Sequence, residues 1–265
     1  MRRTVLVRGC GDVGSAVACV LFKAGYAIVL HDSAQPAATR RSMSFADAMF
    51  DGSTELEGVR GIRVDDALEI KAASDRGDAV VVTYVGLPRL LAVLRPGVLV
   101  DARMRKHNQP ESQITLAPFT IGLGPNFVAG ETVHVAVETG WNEDLGKVIH
   151  EGAARPLEGE PQTIGGHARD RYVYAPVAGI FKTAQQIGNK VTAGQEVARI
   201  GETVLCAPIS GMLRGLTHDC VPVRERAKVI EVDPRADAAQ IMGIAKRPGQ
   251  IAAGVLEALK EVYKN

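Results

Sequence analysis

The sequence predicts an α/β protein: a Rossmann-like, doubly wound parallel sheet, then a smaller pseudo-symmetric β domain of biotinyl/lipoyl-like barrel-sandwich type, and a C-terminal helix. Three observations predict it. A glycine-rich turn, Gly9-Cys-Gly11-Asp-Val-Gly14, stands between an apolar strand and a helix. Strand and helix patterns alternate as far as Asp101. Residues 175 to 232 repeat themselves when the chain is shifted by 32 positions.

Taken in order, Thr4-Val-Leu-Val-Arg8 reads as a buried strand, Gly9 to Gly14 as a turn, and Ser15 to Lys23 as a helix with apolar positions 17, 20 and 21. Gly25 is placed to end that helix. Ala27 to Leu30 is an unbroken apolar run, as in a parallel strand covered on both faces. A helix near Asp65 to Ala73, a strand at Ala79 to Tyr84, a helix near Leu87 to Leu94 and a strand at Val98 to Asp101 continue the alternation. The first domain is expected to span 1–105. Short strands broken by glycine and proline then suggest a β-rich, antiparallel-looking connector over 106–171, with Val133, Val135 and Val137 alternating against His134, Ala136 and Glu138.

In the repeat, Ala175-Pro176 matches Ala207-Pro208, Gly179 matches Gly211, and Val191, Val197 and Ile200 match Val223, Val229 and Val232. Neither copy could bury its apolar face alone, so the pair predicts one β domain over 172–235. Residues 236–265 turn helical, with Pro248 suited to a first-turn position before Gln250 to Tyr263. This tail is expected to pack back on one of the domains.

Composition narrows the function. Thirty-one basic and thirty acidic residues leave a formal charge of +1, so no field draws the chain to nucleic acid or anionic lipid. No apolar run approaches the length of about 18 residues that a membrane span needs, and Arg8, Asp12 and Lys23 interrupt any signal-like segment. Cys10, Cys19, Cys206 and Cys220 show no metal or disulfide spacing, which suits a reducing cytoplasm, and each is expected to be a small buried residue. A homo-oligomer is compatible with all of this.

The chemistry concentrates at the glycine turn. Glycine first in the motif allows a tight turn, glycine second leaves room for a pyrophosphate, and glycine third lets helix and sheet pack closely. Free N–H groups at the helix start would then bind phosphate, helped by the helix dipole. Gly9, Gly11, Asp12 and Gly14 therefore form the expected cofactor site, with Asp32 accepting from a ribose diol. Asp12 puts a negative charge inside the turn, to be offset by Arg8 or a metal, or used to cap the helix. Arg40 and Arg41 could reach a 2′-phosphate, and Arg103 and Lys106, after a strand end, a further anionic group. The stretch Ile121 to Gly130 has the glycines of an anion-binding nest. His134, Glu138, His150 and His167 match no ligand spacing, so no metal is expected, and no nucleophile elbow, HExxH helix or P-loop is present.

Several segments together resemble a family. Val7-Arg-Gly-Cys-Gly-Asp12, Arg40-Arg-Ser-Met-Ser-Phe-Ala-Asp-Ala48, Val100-Asp-Ala-Arg-Met-Arg-Lys106, Thr120-Ile-Gly-Leu-Gly-Pro-Asn-Phe-Val-Ala-Gly130, Val137-Glu-Thr139 and Gly254 to Ala258 are similar to the YqeB-like accessory proteins of selenium-dependent molybdenum hydroxylase systems. The resemblance implies a part in maturing hydroxylases of the xanthine dehydrogenase type. It departs at Gly140-Trp-Asn-Glu-Asp-Leu-Gly146, where an Arg-Gly-His-like stretch would be ordinary. The repeat also resembles the biotinyl/lipoyl carrier fold, but Gly201 to Cys206 between its halves has no lysine to acylate.

The leading expectation is an accessory protein that binds a nucleotide-bearing cofactor, the molybdenum cofactor's dinucleotide form or NAD(P), and works with a molybdenum hydroxylase or its cofactor-maturation machinery. An NAD(P)-dependent oxidoreductase is the first rival, with Tyr84, His107 and Lys106 as proton donors by location alone. The second is a non-enzymatic assembly module.

Overall fold

The computed structural model describes residues 2–105, 109–156 and 161–263. β1 (Thr4–Arg8), α1 (Asp12–Lys23) and β2 (Ala27–His31) form the first crossover, with Thr4 opposite Ala27 and Arg8 opposite His31 in parallel register. α1 begins three residues before the expected Ser15 because Gly11 is already extended (φ −65°, ψ −177°) and serves as N-cap. A single turn, α2 (Ala48–Asp51), leads to an unforeseen hairpin, β3 (Ser53–Leu56) and β4 (Val59–Arg63). Then come α3 (Ala67–Arg76), β5 (Val80–Thr83), α4 (Leu87–Leu94) and β6 (Val98–Asp101), close to their expected positions.

The sheet does not stop at residue 105, which corrects the expected domain boundary. β7 (Phe119–Leu123) lies parallel to β6, and past a short ladder strand, β8 (Val128–Ala129), β9 (Val135–Val137) lies parallel to β7. β10 (Val148–Ile149) closes that edge antiparallel, and β11 (Gly152–Ala153) pairs β8. The alternation around Val135 misled because Ala136, on the opposite face, is as buried as its valine neighbours, so the strand is covered on both sides.

Seven parallel strands thus run β4-β5-β2-β1-β6-β7-β9. The chain leaves β1 toward β2 and β5, then returns to β6 on the other side and continues outward. That reversal marks a topological switch point beyond the carboxyl ends of β1 and β6, where open α/β sheets commonly bind ligands. Val5 and Val7 face one layer, with Val13 and Val17 of α1; Leu6 faces the other, with Ile70, Leu90 and Leu94 of α3 and α4.

The repeat folds as two four-stranded sheets. Its first half supplies β12 (Tyr172–Tyr174), β13 (Gly179–Lys182), β14 (Lys190–Val191) and β15 (Glu196–Ile200); its second supplies β16 (Thr203–Cys206), β17 (Gly211–Leu216), β18 (Pro222–Val223) and β19 (Lys228–Asp233). The sheets are β12-β19-β17-β14 and β16-β15-β13-β18, so each takes its central pair from one half and both edges from the other. The offset of 32 is obeyed to the residue: Gly179 pairs Val223, and Gly211 pairs Val191. Phe181, Val197, Leu213 and Val229 fill the space between.

α5 (Lys246–Tyr263) returns to lie along α1, burying Ile251, Val255 and Leu259 in the cluster that holds Val13, Val17 and Leu21. Its approach depends on Gly254, where a Cβ would stand 1.9 Å from the Gly146 carbonyl oxygen. Among the described residues, no helix is long and apolar enough to cross a membrane.

Candidate functional site at the glycine turn

The three glycines of the turn act differently. Gly9 has φ +105°, and a Cβ there would meet the Ala102 oxygen at 2.9 Å, so this glycine lets β1 turn against the end of β6. A Cβ on Gly14 would lie 1.8 Å from the Gly9 oxygen, so Gly14 brings α1 onto the turn itself. At Gly11 a Cβ would meet nothing within 4 Å: the chain turns an open face here.

The turn is held from below. Gly9 N–H donates to the His31 carbonyl at 2.7 Å, and Cys10 N–H to Asp32 Oδ2 at 2.8 Å. Ser15 Oγ donates to the Cys10 carbonyl and accepts from Phe45 N–H, each at 2.9 Å. The N–H groups of Gly11, Asp12 and Gly14 donate to no acceptor among the described residues, so three donors stand free at the positive end of α1. Asp32 also accepts from Ser33 N–H at 2.7 Å and keeps lone pairs for a hydroxyl donor.

The charges around the turn differ from expectation. Asp12 is not offset by Arg8: its Oδ2 takes Arg40 Nη1 at 2.8 Å, while Oδ1 accepts from Val13 N–H. Against the cost of burial, Arg40 chiefly, then Lys228, lowers the Asp12 pKa. Arg8 sits across from Asp101 in the sheet and faces Asp101, Glu111 and Gln113 instead. Burial, then Arg103, lowers its pKa, and its Nε has no partner. Arg103 is likewise taken, by Asp101 and Glu111, so it does not stand free for an anion. Although partial burial opposes it, the Arg103 hydrogen bond leads the effects that hold Glu111 at about 2. Lys106 and His107 lie outside the described residues.

Arg40 and Arg41 do not await a 2′-phosphate. Arg40 also grips Glu231 of β19 with Nε and Nη2 at 3.0 and 3.1 Å, and Arg41 donates to the Leu216 carbonyl at 2.8 Å and to Asp47. These residues join the sheet to the sandwich. Glu231, fully buried, also receives Arg171 and, at 2.7 Å, Lys228. From α5, Arg247 donates Nε to the Thr139 carbonyl at 2.8 Å and lies within electrostatic reach of Asp12 and Arg40. Sequence reading missed Glu231, Lys228 and Arg247, since no local spacing marks residues so far from the turn.

Other expected features stay apart. His134 bonds Thr120, Glu138 accepts from the Thr139, Gly140 and Arg155 N–H groups, His150 faces Glu261 and His167 faces Asp170. The described residues hold no metal-ligating group of three. In the stretch expected to form a nest, Gly124 and Gly130 donate to the carbonyls of Val137 and Val133. Cys10 and Cys19 are buried, but Cys206 and Cys220 are exposed on the sandwich. A cavity of about 550 Å³ lies beyond β2, lined by Ala34, Gln35, Phe50 and His218, the last two rings stacked at 3.8 Å.

No family model matches the chain. It is 36% identical over 255 residues, 96% of its length, to the uncharacterized protein YqeB of Escherichia coli (strain K12), and this supports a YqeB-like family. The chain spans about half the length of that relative, 47%. Among solved structures, it is similar to the product-bound ectoine utilization protein EutE (DoeB) from Ruegeria pomeroyi, with 13% identity, a TM-score of 0.27, and 88% and 85% of the two chains covered. A second is a succinylglutamate desuccinylase/aspartoacylase from Rhodobacter sphaeroides, with 12% identity, a TM-score of 0.24, and 82% and 60% covered.

Proposed function

We propose that the chain binds a nucleotide-bearing cofactor across the turn Gly9 to Gly14, as a cytoplasmic accessory protein that helps mature a molybdenum hydroxylase. One observation carries the binding reading: three unpartnered N–H groups, at Gly11, Asp12 and Gly14, border an open face at the carboxyl end of β1. The reversed strand order on either side of β1 supports a Rossmann-like frame, and the hydrogen bond from Cys10 N–H to Asp32 supports a ribose diol as that carboxylate's further partner. The maturation role draws on the resemblance of the quoted segments alone. The sandwich then serves as a carrier-like scaffold without an acceptor lysine, its inter-half hairpin carrying Gly201 and Glu202 instead.

The ligand class is a nucleotide linked through a diphosphate, the pterin dinucleotide form of the molybdenum cofactor or NAD(P). Thermal unfolding with NAD, NADP, CDP, GDP and isolated molybdenum cofactor tests the reading. A ligand at about 100 times its Kd should add about 2.7 kcal/mol to wild type. Gly11→Ala should abolish that gain, because its methyl group would fill the open face. If none of these ligands raises the wild-type melting temperature, the reading fails.

A further inference from the structure

We infer that Lys182 of β13 and Cys220, in the turn between β17 and β18, are the two ends of a reversible oxidative cross-link: hydrogen peroxide converts the thiol to a sulfenic acid, and the lysine amine captures it as a sulfenamide. The pair belongs to the sandwich, so the inference does not depend on what the glycine turn binds.

The two-fold relation of the sandwich singles the pair out. The 32-residue offset places Gly188 in the first half where Cys220 stands in the second. Their backbones match: Gly188 N–H donates to the Leu213 carbonyl at 2.8 Å, and Cys220 N–H to the carbonyl of Phe181, the counterpart of Leu213, at 2.9 Å. Both residues are left-handed, with φ +94° and +65°. Glycine takes that conformation freely, whereas a residue with a Cβ is strained there. The first half thus shows what the turn needs, and the second puts a thiol there against that preference. The neighbouring cation differs too: Arg214, the counterpart of Lys182, is buried against Asp233, while Lys182 is exposed and turns to the sulfur.

Contact and access both suit the reaction. Lys182 Nζ donates to Cys220 Sγ at 2.8 Å, and the thiol donates to Asp219 Oδ2 at 3.1 Å. Cys220 is exposed and lines the cavity of about 550 Å³ beyond β2, whereas Cys10 and Cys19 are buried. Exposed thiols beside a cationic group are the ones that oxidise first. In the first step the sulfur attacks a peroxide oxygen: the S–O bond forms, the O–O bond breaks, and the thiol proton leaves with the released hydroxyl as water. Sulfur has then given two electrons to the peroxide. Lys182 next gives a proton to solvent and attacks the sulfur as the free amine. The S–N bond forms, the S–O bond breaks, and the hydroxyl departs as water with a second proton from the nitrogen. The flexible lysine stem closes the remaining distance. The link joins the two halves of the sandwich across 38 positions.

Mass spectrometry of the whole chain after brief exposure to hydrogen peroxide tests this, in a Cys206→Ser background that removes the other exposed thiol. The protein should lose two hydrogens, lose the tryptic cut after Lys182, and yield a peptide joined through Lys182 and Cys220. Dithiothreitol should restore the mass and the cut. In Lys182→Arg, Cys220 should instead gain oxygen, as sulfenic and then sulfinic acid, with no joined peptide. Cys220→Gly, which gives the turn the residue of its counterpart, should show neither change. Melting curves before oxidation establish that each variant folds, and Lys182→Met carries the test if Lys182→Arg does not. Oxygen gained at Cys220 equally with and without the lysine, the cut after Lys182 being kept, overturns the inference. A Cys220 that pairs as a disulfide with a second chain overturns it as well.

Discussion

Gly11 and Gly14 are the same residue three positions apart, yet their substitution should separate stability from binding. Gly14→Ala forces α1 off the turn and should cost about 1–3 kcal/mol in urea denaturation. Gly11→Ala, with an ordinary negative φ and open space, should stay within about 0.5 kcal/mol of wild type without ligand. Glu231 makes the opposite case. Glu231→Gln leaves Arg40, Arg171 and Lys228 short of an anion and should lose about 3–5 kcal/mol. Burial works against the Glu231 carboxylate, but Lys228, then Arg40, holds its pKa well below the ordinary 4.5. Its contribution is therefore complete above pH of about 4.5 and drains as pH falls toward the folded value. An acid titration of stability should show this limb in wild type and lack it in the variant. The glycine spacing and Asp32 were legible because both are local. Arg40 was read as a free cation because its partner lies 191 residues away.

Among the elements, those with unbroken apolar runs were legible: β1, β2, β5 and β6 bury both faces, so sequence alone marks them as parallel strands. The hairpin of β3 and β4 was not, since Glu55, Arg60 and Arg63 give a sheet edge the composition of a loop. Residues 119 to 137 were misassigned because glycines there serve packing: a Cβ on Gly122 would fall 2.3 Å from the Phe127 ring. α5 was foreseen as a helix packing back on one of the domains, but its close approach to Gly146 was not. Gly254→Ala should lift it from Gly146 and cost about 1–3 kcal/mol, a fall in melting temperature of about 2–4 °C for each kcal/mol.

For the molecule as a whole, the sheet and the sandwich meet at the charged junction of Asp12, Arg40, Glu231 and Lys228, so its protonation bears on overall stability. The folded chain releases the Lys228 proton near pH 8, and the unfolded chain near its ordinary 10.5. The unfolded state holds the extra proton between those values, so Lys228 makes stability rise with pH across that window. Denaturation midpoints at pH 7 and pH 9 should show a smaller rise in Lys228→Met than in wild type. The sandwich's two-fold relation was legible from the 32-residue offset, whereas its attachment depends on Arg40, Arg41 and Glu231, which no repeat encodes.

That two-fold relation bears on how many chains make one sandwich. Each half surrenders both edge strands to the other's sheet, and the halves are joined at Gly201 and Glu202, between Ile200 and its partner Thr203. Two copies could trade second halves while keeping every strand pairing within the sandwich. What favours the single chain is proximity, since the tight hairpin holds the halves at a high effective concentration. Gly201 has φ +57°, so Gly201→Pro strains that turn and should shift concentrated protein toward a domain-swapped dimer, visible by size-exclusion chromatography with light scattering.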